Sequence, residues 1–238
     1  MLKVIKSYIP SPIKKILVRF RNIVNDPYVT KSYSQEGEDM ILRRLFGDQK
    51  IGFYVDVGAH HPFRFSNTYM FYKKGWSGIN IDAMPSSMNI FRKFRARDIN
   101  LELPISEKSE ILTYYAFNEP ALNGFSKELS NSRLRSHDCK IIFQQDMETK
   151  TLAQVLDIYL PVGEKIKFLS IDVEGLDFAV LRSNNWEKYR PEVVLVEILA
   201  SRLEEIITSD ISIFMKRYGY SVFAKTFNTV FFKLDLNL

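Results

Sequence analysis

Four short apolar runs, each ending close to an acidic residue, constrain the fold of this chain more than any other feature. They are "FYVDV" at 53–57, "GINID" at 78–82, "KFLSID" at 167–172 and "VVLVE" at 193–197. Helical patterns follow the first three of them, at 66–74, at 86–94 and at "DFAVLRS". Because strands alternate with helices, the sequence predicts an α/β fold, a mostly parallel sheet with helices on both faces.

The remaining segments extend this plan. A third strand is expected at 99–105 and a helix at 151–159, and "GYSVFAKTFNTVFFKL" near the C-terminus predicts two antiparallel strands. The stretch 106–150 is less regular. It contains a strand at 111–117, but its turn residues and mixed charges predict an inserted active-site loop with short helical pieces.

Composition and charge narrow the class of protein. The hydrophobic fraction of 46% and charged fraction of 26% are those of a globular domain, and no apolar run approaches the about 18 residues of a membrane-spanning helix. The net charge of +5 is local: residues 1–31 carry seven basic residues against Asp26, and the rest holds 26 basic and 27 acidic residues. A nucleic-acid partner is therefore not expected. Cys139 is the single cysteine, which excludes an intramolecular disulfide and fits a reducing, cytoplasmic location.

The basic N-terminal extension, residues 1–31, precedes a domain expected at 32–238. From Ile13 to Val24 apolar residues recur at helical spacing, while the lysines and arginines lie mostly off that stripe. This pattern predicts a basic amphipathic helix within residues 10–25. Two interpretations are open: peripheral contact with an anionic membrane surface, or docking on the domain itself or on a partner.

The ends of the first two strands predict a nucleoside pocket. Asp56, Gly58 and Ala59 end the first strand, and Asp82 ends the second, 26 residues after Asp56. Ligands of open parallel sheets bind outside the carboxyl ends of the strands. A glycine there allows a close approach to the main chain, and an acid at the next strand end accepts both hydroxyls of a ribose.

The turn after the first strand limits which nucleoside fits. A dinucleotide site usually carries G-x-G-x-x-G, but "DVGAHHP" has one glycine followed by His60, His61 and Pro62, so a pyrophosphate fits poorly. The triphosphate-binding pattern G-x-x-x-x-G-K-[ST] is also missing from the sequence. A cationic ligand without phosphates suits the acids better, and S-adenosylmethionine is such a ligand.

Three segments of the chain resemble one known family. "YSQEGEDMIL", "FYVDVGAHHPFRFSNTYMFYKKGWSGINIDAMP" and "FLSIDVEGLDFAVL" resemble the FkbM family of S-adenosylmethionine-dependent methyltransferases, from about residue 33 to the C-terminus. The resemblance implies a class I methyltransferase (Rossmann-like) fold with seven strands, the last of them reversed. It also implies O-methylation of sugars or of other natural-product hydroxyls. The cofactor-binding residues expected on this chain are Gln35, Glu36, Asp56, Gly58, Ala59, His60, Ser66, Asn67, Thr68, Asp82 and Ser106.

Methyl transfer to a hydroxyl needs a base or a metal ion, and strand-end acids are the candidates for both. Asp172 and Glu174 follow one strand and Glu197 ends its neighbour. Asp172 and Glu197, with Glu174 beside them, form a candidate site for Mg²⁺ or another divalent cation. Alternatively Asp172, Glu174 or His61 acts directly as the base. Strand-end acids also cap the helices that follow them, which remains an alternative for Glu174.

The sequence therefore predicts an S-adenosylmethionine-dependent O-methyltransferase, acting on a sugar hydroxyl of a surface glycan or its precursor. A nicotinamide-dependent oxidoreductase and a non-catalytic cofactor-binding scaffold are the alternatives. Loops carry specificity, so acceptor recognition is expected in the stretch 106–150 and in "HHPFRF".

Overall fold

The computed structural model describes residues 10–15, 28–135, 138–199 and 202–235. The chain divides into two compact units, Met1–Ser32 and Tyr33–Leu238. In the first unit residues 11–15 are helical and exposed, and residues 16–25 of the predicted amphipathic helix lie outside the described residues. Among the helices described, none has the length and apolar character that crossing a membrane requires.

Within its described residues, the second unit contains nine strands. They are β1 (Phe53–Val57), β2 (Ser77–Asp82), β3 (Ile99–Glu102), β4 (Ile111–Phe117), β5 (Ile141–Glu148), β6 (Ile166–Ile171), β7 (Val193–Glu197), β8 (Tyr220–Lys225) and β9 (Thr229–Leu234). Seven of them form one sheet in the spatial order β3-β2-β1-β6-β7-β9-β8. Neighbouring strands in the run β3, β2, β1, β6 and β7 pair in parallel, whereas β9 runs antiparallel to both β7 and β8. The predicted seven-stranded, mostly parallel sheet with a reversed final strand is confirmed.

Helices cover both faces of this sheet. They are α1 (Glu38–Phe46), α2 (Tyr69–Lys73), α3 (Met88–Phe94), α4 (Lys127–Arg133), α5 (Leu152–Tyr159), α6 (Asp177–Arg182), α7 (Leu203–Ile207) and α8 (Asp210–Arg217), with one 3-10 turn at Pro120–Leu122. Alternate residues of the central strands point to opposite faces. Tyr54 and Phe168 pack with α1 and α2, whereas Val55 and Leu169 pack with α5 and α6. Burial on both faces explains why these strands read as continuous apolar runs.

The inserted stretch 106–150 is more ordered than predicted. Its strands β4 and β5 form a separate antiparallel pair, and the 3-10 turn and α4 lie between them. Strand β4 was expected, but β5 was not. Most of the residues of β5 are exposed and its sequence "IIFQQDME" shows no alternation of apolar and polar residues, so its main-chain pairing left no signal in the pattern.

Candidate functional site

A cavity lies at the carboxyl ends of β1, β2 and β6, where β1 is flanked by the other two strands. The space inside it, counted together with its open mouth, is about 860 Å³. The polar residues of its wall come from the strand-end loops and from the insertion: Gln35, His60, Asp82, Asn123, Asp172 and Glu174. The sequence patterns predict a pocket at this edge of the sheet.

Asp82 is held in the cavity wall by two main-chain donors. One carboxylate oxygen accepts the N–H of His60 at 2.8 Å and the other accepts the N–H of Met84 at 2.8 Å. Burial raises the pKa of Asp82, and these two hydrogen bonds act in the opposite direction. Each carboxylate oxygen keeps a second lone pair. Asp82 can therefore accept hydroxyl groups from a ligand without losing its support.

Gly58 is required by the closeness of β6. It has a φ of 84°, and a Cβ at this position would lie 1.7 Å from the carbonyl oxygen of Asp172. The N–H groups of Gly58 and Ala59 both donate to the Ile81 carbonyl, at 2.9 and 3.0 Å. The turn therefore also binds the neighbouring strand β2, in addition to the approach of a ligand that the sequence predicts for this glycine. Gly58 lines the cavity, whereas Ala59 packs against Met88 and Phe91.

The two histidines have different environments. His60 lines the cavity in a left-handed conformation (φ 51°), and its ring stacks on that of Phe65 with 6.1 Å between centroids. His61 does not line it, because its Nδ1 accepts the N–H groups of Phe63 and Arg64 at 3.2 and 3.1 Å. Burial lowers the pKa of both imidazoles. His60, predicted to bind cofactor, thus reaches the site, and His61, a predicted base, braces the loop.

Residues 66–68 form a buried turn beneath the cavity. The hydroxyl of Thr68 donates to the Asp56 carboxylate at 3.2 Å, the amide of Asn67 donates to the Ser170 hydroxyl at 3.0 Å, and Ser66 accepts the N–H of Tyr69 at 3.1 Å. Burial raises the pKa of Asp56 to about 6. Asp56 and residues 66–68 lie together as predicted, but they are not part of the cavity wall.

Three other predicted cofactor residues are spread around the site. Gln35 lines the cavity. Glu36 accepts the N–H of Asn228 at 2.9 Å, which ties the segment before α1 to the β8–β9 turn. Ser106 is buried, with its hydroxyl 3.5 Å from a Glu110 carboxylate oxygen, and it lies outside the cavity wall.

A buried ion pair, which the sequence patterns did not predict, supports the loop after β1 and the turn at 66–68. Arg95 and Asp98 are fully buried, with 2.9 Å between their charged atoms. Arg95 also donates to the Tyr54 hydroxyl, the Thr68 hydroxyl and the Pro62 carbonyl, at 2.8 to 3.1 Å. One arginine therefore joins the sheet, the turn at 66–68 and the loop after β1. Arg95 follows α3, and the sequence pattern of that helix did not indicate that the arginine is buried.

Among the acids that line the cavity, Asp172 differs in that its carboxylate has no hydrogen-bond partner in the described residues. Its side chain opens into the cavity, and no hydrogen bond to its carboxylate is found within the described part of the chain. The residue is exposed to solvent, but the protein atoms packed around its carboxyl group raise its pKa, and the carboxylates of Asp177, Glu197, Glu174 and Asp56 raise it further. An unpaired carboxyl group with a raised pKa is suited to accept a proton.

The predicted metal site is not formed. Glu174, which adopts a left-handed conformation (φ 53°), also lines the cavity, but Arg133 binds its carboxylate. Glu197 lies outside the cavity wall, and burial raises its pKa to about 7. In the described residues no three side chains of His, Cys, Asp or Glu are placed to hold a metal ion. These acids lie near enough to raise one another's pKa values, but among the described residues they do not form a metal-binding group.

The sequence patterns did not predict the apolar part of the cavity wall. It includes Met84, Ile105, Tyr114 and Phe125, two of which come from the insertion. Tyr114 is buried and packs against Phe125 with 5.1 Å between ring centroids. No periodic pattern in 118–126 marked Phe125, because this segment contains no strand and no α-helix.

The strand order and the single reversed strand define a class I methyltransferase fold. The sequence model of the methyltransferase FkbM domain matches residues 56–222. The chain therefore belongs to the FkbM methyltransferase family, as the resemblance predicted. Comparison with curated proteins and with solved structures found no match.

Proposed function

We propose that this protein is an S-adenosylmethionine-dependent O-methyltransferase, which methylates a sugar hydroxyl of a surface glycan or its precursor. One observation carries the proposal: Asp82 from β2 and the unpaired Asp172 after β6 line the same cavity, on either side of β1. The first acid suits a nucleoside, and the second suits a hydroxyl group that must lose its proton.

The residues present fit the proposed cofactor. Asp82, fixed by two main-chain N–H groups, has lone pairs left for the ribose hydroxyls. Met84, Ile105 and Tyr114 offer an apolar wall for the adenine. The carboxylates of Asp172 and Glu174 favour a positive charge in the cavity. When bound, S-adenosylmethionine would supply an electrophilic methyl group.

Asp172 is assigned the part of general base. Its carboxylate accepts the proton of the acceptor hydroxyl while the oxygen attacks in line. A base works best when its pKa lies near the operating pH, so the raised pKa of Asp172 supports this role. Glu174 is less suited, because Arg133 already occupies its carboxylate.

The loop after β1 and the insertion are proposed to recognise the acceptor. Gln35, His60 and Asn123 place amide and imidazole groups in the cavity wall, and Phe65 adds an aromatic ring. Such polar groups can pair with the hydroxyls of a sugar.

Replacement of Asp172 tests the proposed chemistry. In assays that follow radiolabelled methyl transfer from S-adenosylmethionine to glycan extracts, Asp172→Asn is expected to be slower by about 10²- to 10⁴-fold, because it cannot accept the proton. The affinity for S-adenosylhomocysteine should stay within about twofold, since Asp82 is unchanged. The exposed Asp48, replaced by Asn, serves as the matched control. Equal rates for wild type and Asp172→Asn would refute the assignment.

A further inference from the structure

Arg133, at the end of α4, makes two contacts that converge on the cavity wall. One guanidinium nitrogen donates to the Leu122 carbonyl at 2.6 Å, and another binds the Glu174 carboxylate. The side chains of Arg133 and Glu174 are 17% and 22% exposed. This ion pair is therefore shielded from bulk water, which makes it stronger than a surface pair.

Leu122 belongs to a segment that passes over β1, which we name the bridging segment (residues 120–125). The amide of Asn123 contacts the Met84 sulfur at 3.5 Å, on the β2 side. A Cβ built on Gly124 would lie 3.2 Å from both the Cβ and the carbonyl oxygen of Glu174, on the β6 side. Since β1 lies between β2 and β6, the bridging segment spans its carboxyl end.

The loop that carries Glu174 is closely packed against α4. A Cβ on Gly175 would lie 2.6 Å from a methyl group of Leu129. Glu174 itself has a positive φ of 53°, which is costly for a residue with a side chain. A conformation of this kind persists when the surroundings impose it, and Arg133 is the charged partner that the structure provides.

We propose that Arg133 is a positioning residue of the methyl-transfer site. It holds the Glu174 carboxylate in the wall, fastens the bridging segment over the carboxyl end of β1, and so leaves Asp172 as the free acid facing the acceptor. This inference rests on the proposed function, because it assigns Arg133 a part in that site.

The charges around Glu174 make the proposal measurable. Asp172 lies in the same loop, Asp177 begins α6, Glu197 ends β7, and Arg133 approaches from α4. Arg133 is the cation among these acids. Its removal leaves the Glu174 carboxylate among like charges, so this group should hold its proton to higher pH.

The test compares Arg133→Met, Arg133→Lys and Arg135→Met in the full chain. Arg135 is exposed, lies two residues beyond Arg133 and has no ion pair in the described part of the chain. The titration of Glu174 is followed by ¹³C NMR of labelled carboxyl groups, assigned with Glu174→Gln. We expect its midpoint to rise by about 1 pH unit or more in Arg133→Met, by less in Arg133→Lys, and not at all in Arg135→Met.

Hydrogen exchange provides the second readout. Loss of the bond to Leu122 should speed amide exchange in the bridging segment by about tenfold in Arg133→Met. In Glu174→Gln that bond remains, so the change should be smaller. The proposal is overturned if Arg133→Met leaves the Glu174 midpoint unchanged, or if Arg135→Met has the same effects. Calorimetry with S-adenosylhomocysteine on the wild type separates the two claims, since failure to bind contradicts the proposed function whatever Arg133 does.

Discussion

At the residue scale, the acids around the cavity differ in what surrounds each carboxylate. The Asp82 carboxylate accepts two main-chain N–H groups and that of Glu174 is paired with Arg133, whereas the Asp172 carboxylate has no hydrogen-bond partner in the part of the chain that the structure describes. Although all three are carboxylic acids, Asp82 is thereby suited to binding, Glu174 to positioning and Asp172 to proton transfer. The environment separates their roles, as it does wherever paired carboxyl groups work at one site.

Glu197 should make the free energy of unfolding depend on pH. Its pKa is raised from 4.5 to about 7 by burial and by Glu174 and Asp177. The folded state thus binds the proton more tightly than the unfolded state, and the stability this contributes below pH 4.5 is lost as the pH rises towards 7. Glu197→Gln should be more stable than wild type at pH 8 by about 1 to 2 kcal/mol, after allowance for partial exposure, with no gain at pH 4.

Urea unfolding at pH 4, 6 and 8 measures this difference. Glu187→Gln, at an exposed position, is the matched control. A Glu197→Gln variant whose advantage over wild type does not grow with pH would contradict the account.

Sequence patterns located some residues of the site and missed others for physical reasons. Asp82, Asp172 and Glu174 were found because the carboxyl ends of parallel strands meet at one edge of the sheet. The pattern could not separate His60 from His61, since adjacent residues in an irregular turn point in directions that depend on local backbone angles. It also could not show that Arg133, far away along the chain, pairs with Glu174.

At the element scale, the fully buried pair of Arg95 and Asp98 connects α3, the loop after β1 and the turn at 66–68. Arg95→Met should lower the free energy of unfolding by about 3 to 5 kcal/mol, because it leaves the Asp98 carboxylate buried without its cation. Urea unfolding measures this, with the exposed Arg92→Met as control. A loss of under about 1 kcal/mol, the value of a surface pair, would show that the pair does not support the turn.

The elements that sequence patterns predicted best are those buried on both faces. Strands β1, β2, β6 and β7 are almost continuously buried because helices cover both sides of them. The exposed strand β5 was missed, since its pairing with β4 depends on main-chain hydrogen bonds that leave little trace in the side chains.

At the scale of the whole molecule, the chain has two units of opposite electrical character. Residues 1–31 carry a net charge of +6 and the rest of the chain a net charge of −1. We propose that the basic unit gives peripheral attachment to an anionic membrane surface, which is the alternative that this charge favours.

Removal of residues 1–32 tests that proposal. The full chain should sediment with vesicles that contain phosphatidylglycerol, and less so at high salt, because screening weakens contacts between exposed charges. Residues 33–238 should not sediment with them, while their melting temperature and cofactor affinity stay unchanged, since they form a compact unit. Equal sedimentation of both chains would refute membrane attachment through this unit.

The topology of the whole sheet was predictable, whereas the acceptor was not. The mostly parallel sheet and its reversed strand follow from the alternation of strands and helices and from the family resemblance, both of which the fold and the match to residues 56–222 confirm. The proposed acceptor-recognition residues lie on the insertion and on the loop after β1, whose conformations come from tertiary contacts such as that of Asn123 with Met84.

Calorimetric titration of the full chain with S-adenosylhomocysteine tests the central claim most directly. The account predicts that wild type and the exposed-site control Asp48→Ala bind it alike, and that Asp82→Ala binds at least about tenfold more weakly, having lost the hydrogen bonds to the ribose. A wild type that fails to bind S-adenosylhomocysteine but binds NAD, or an Asp82→Ala variant of undiminished affinity, would contradict it.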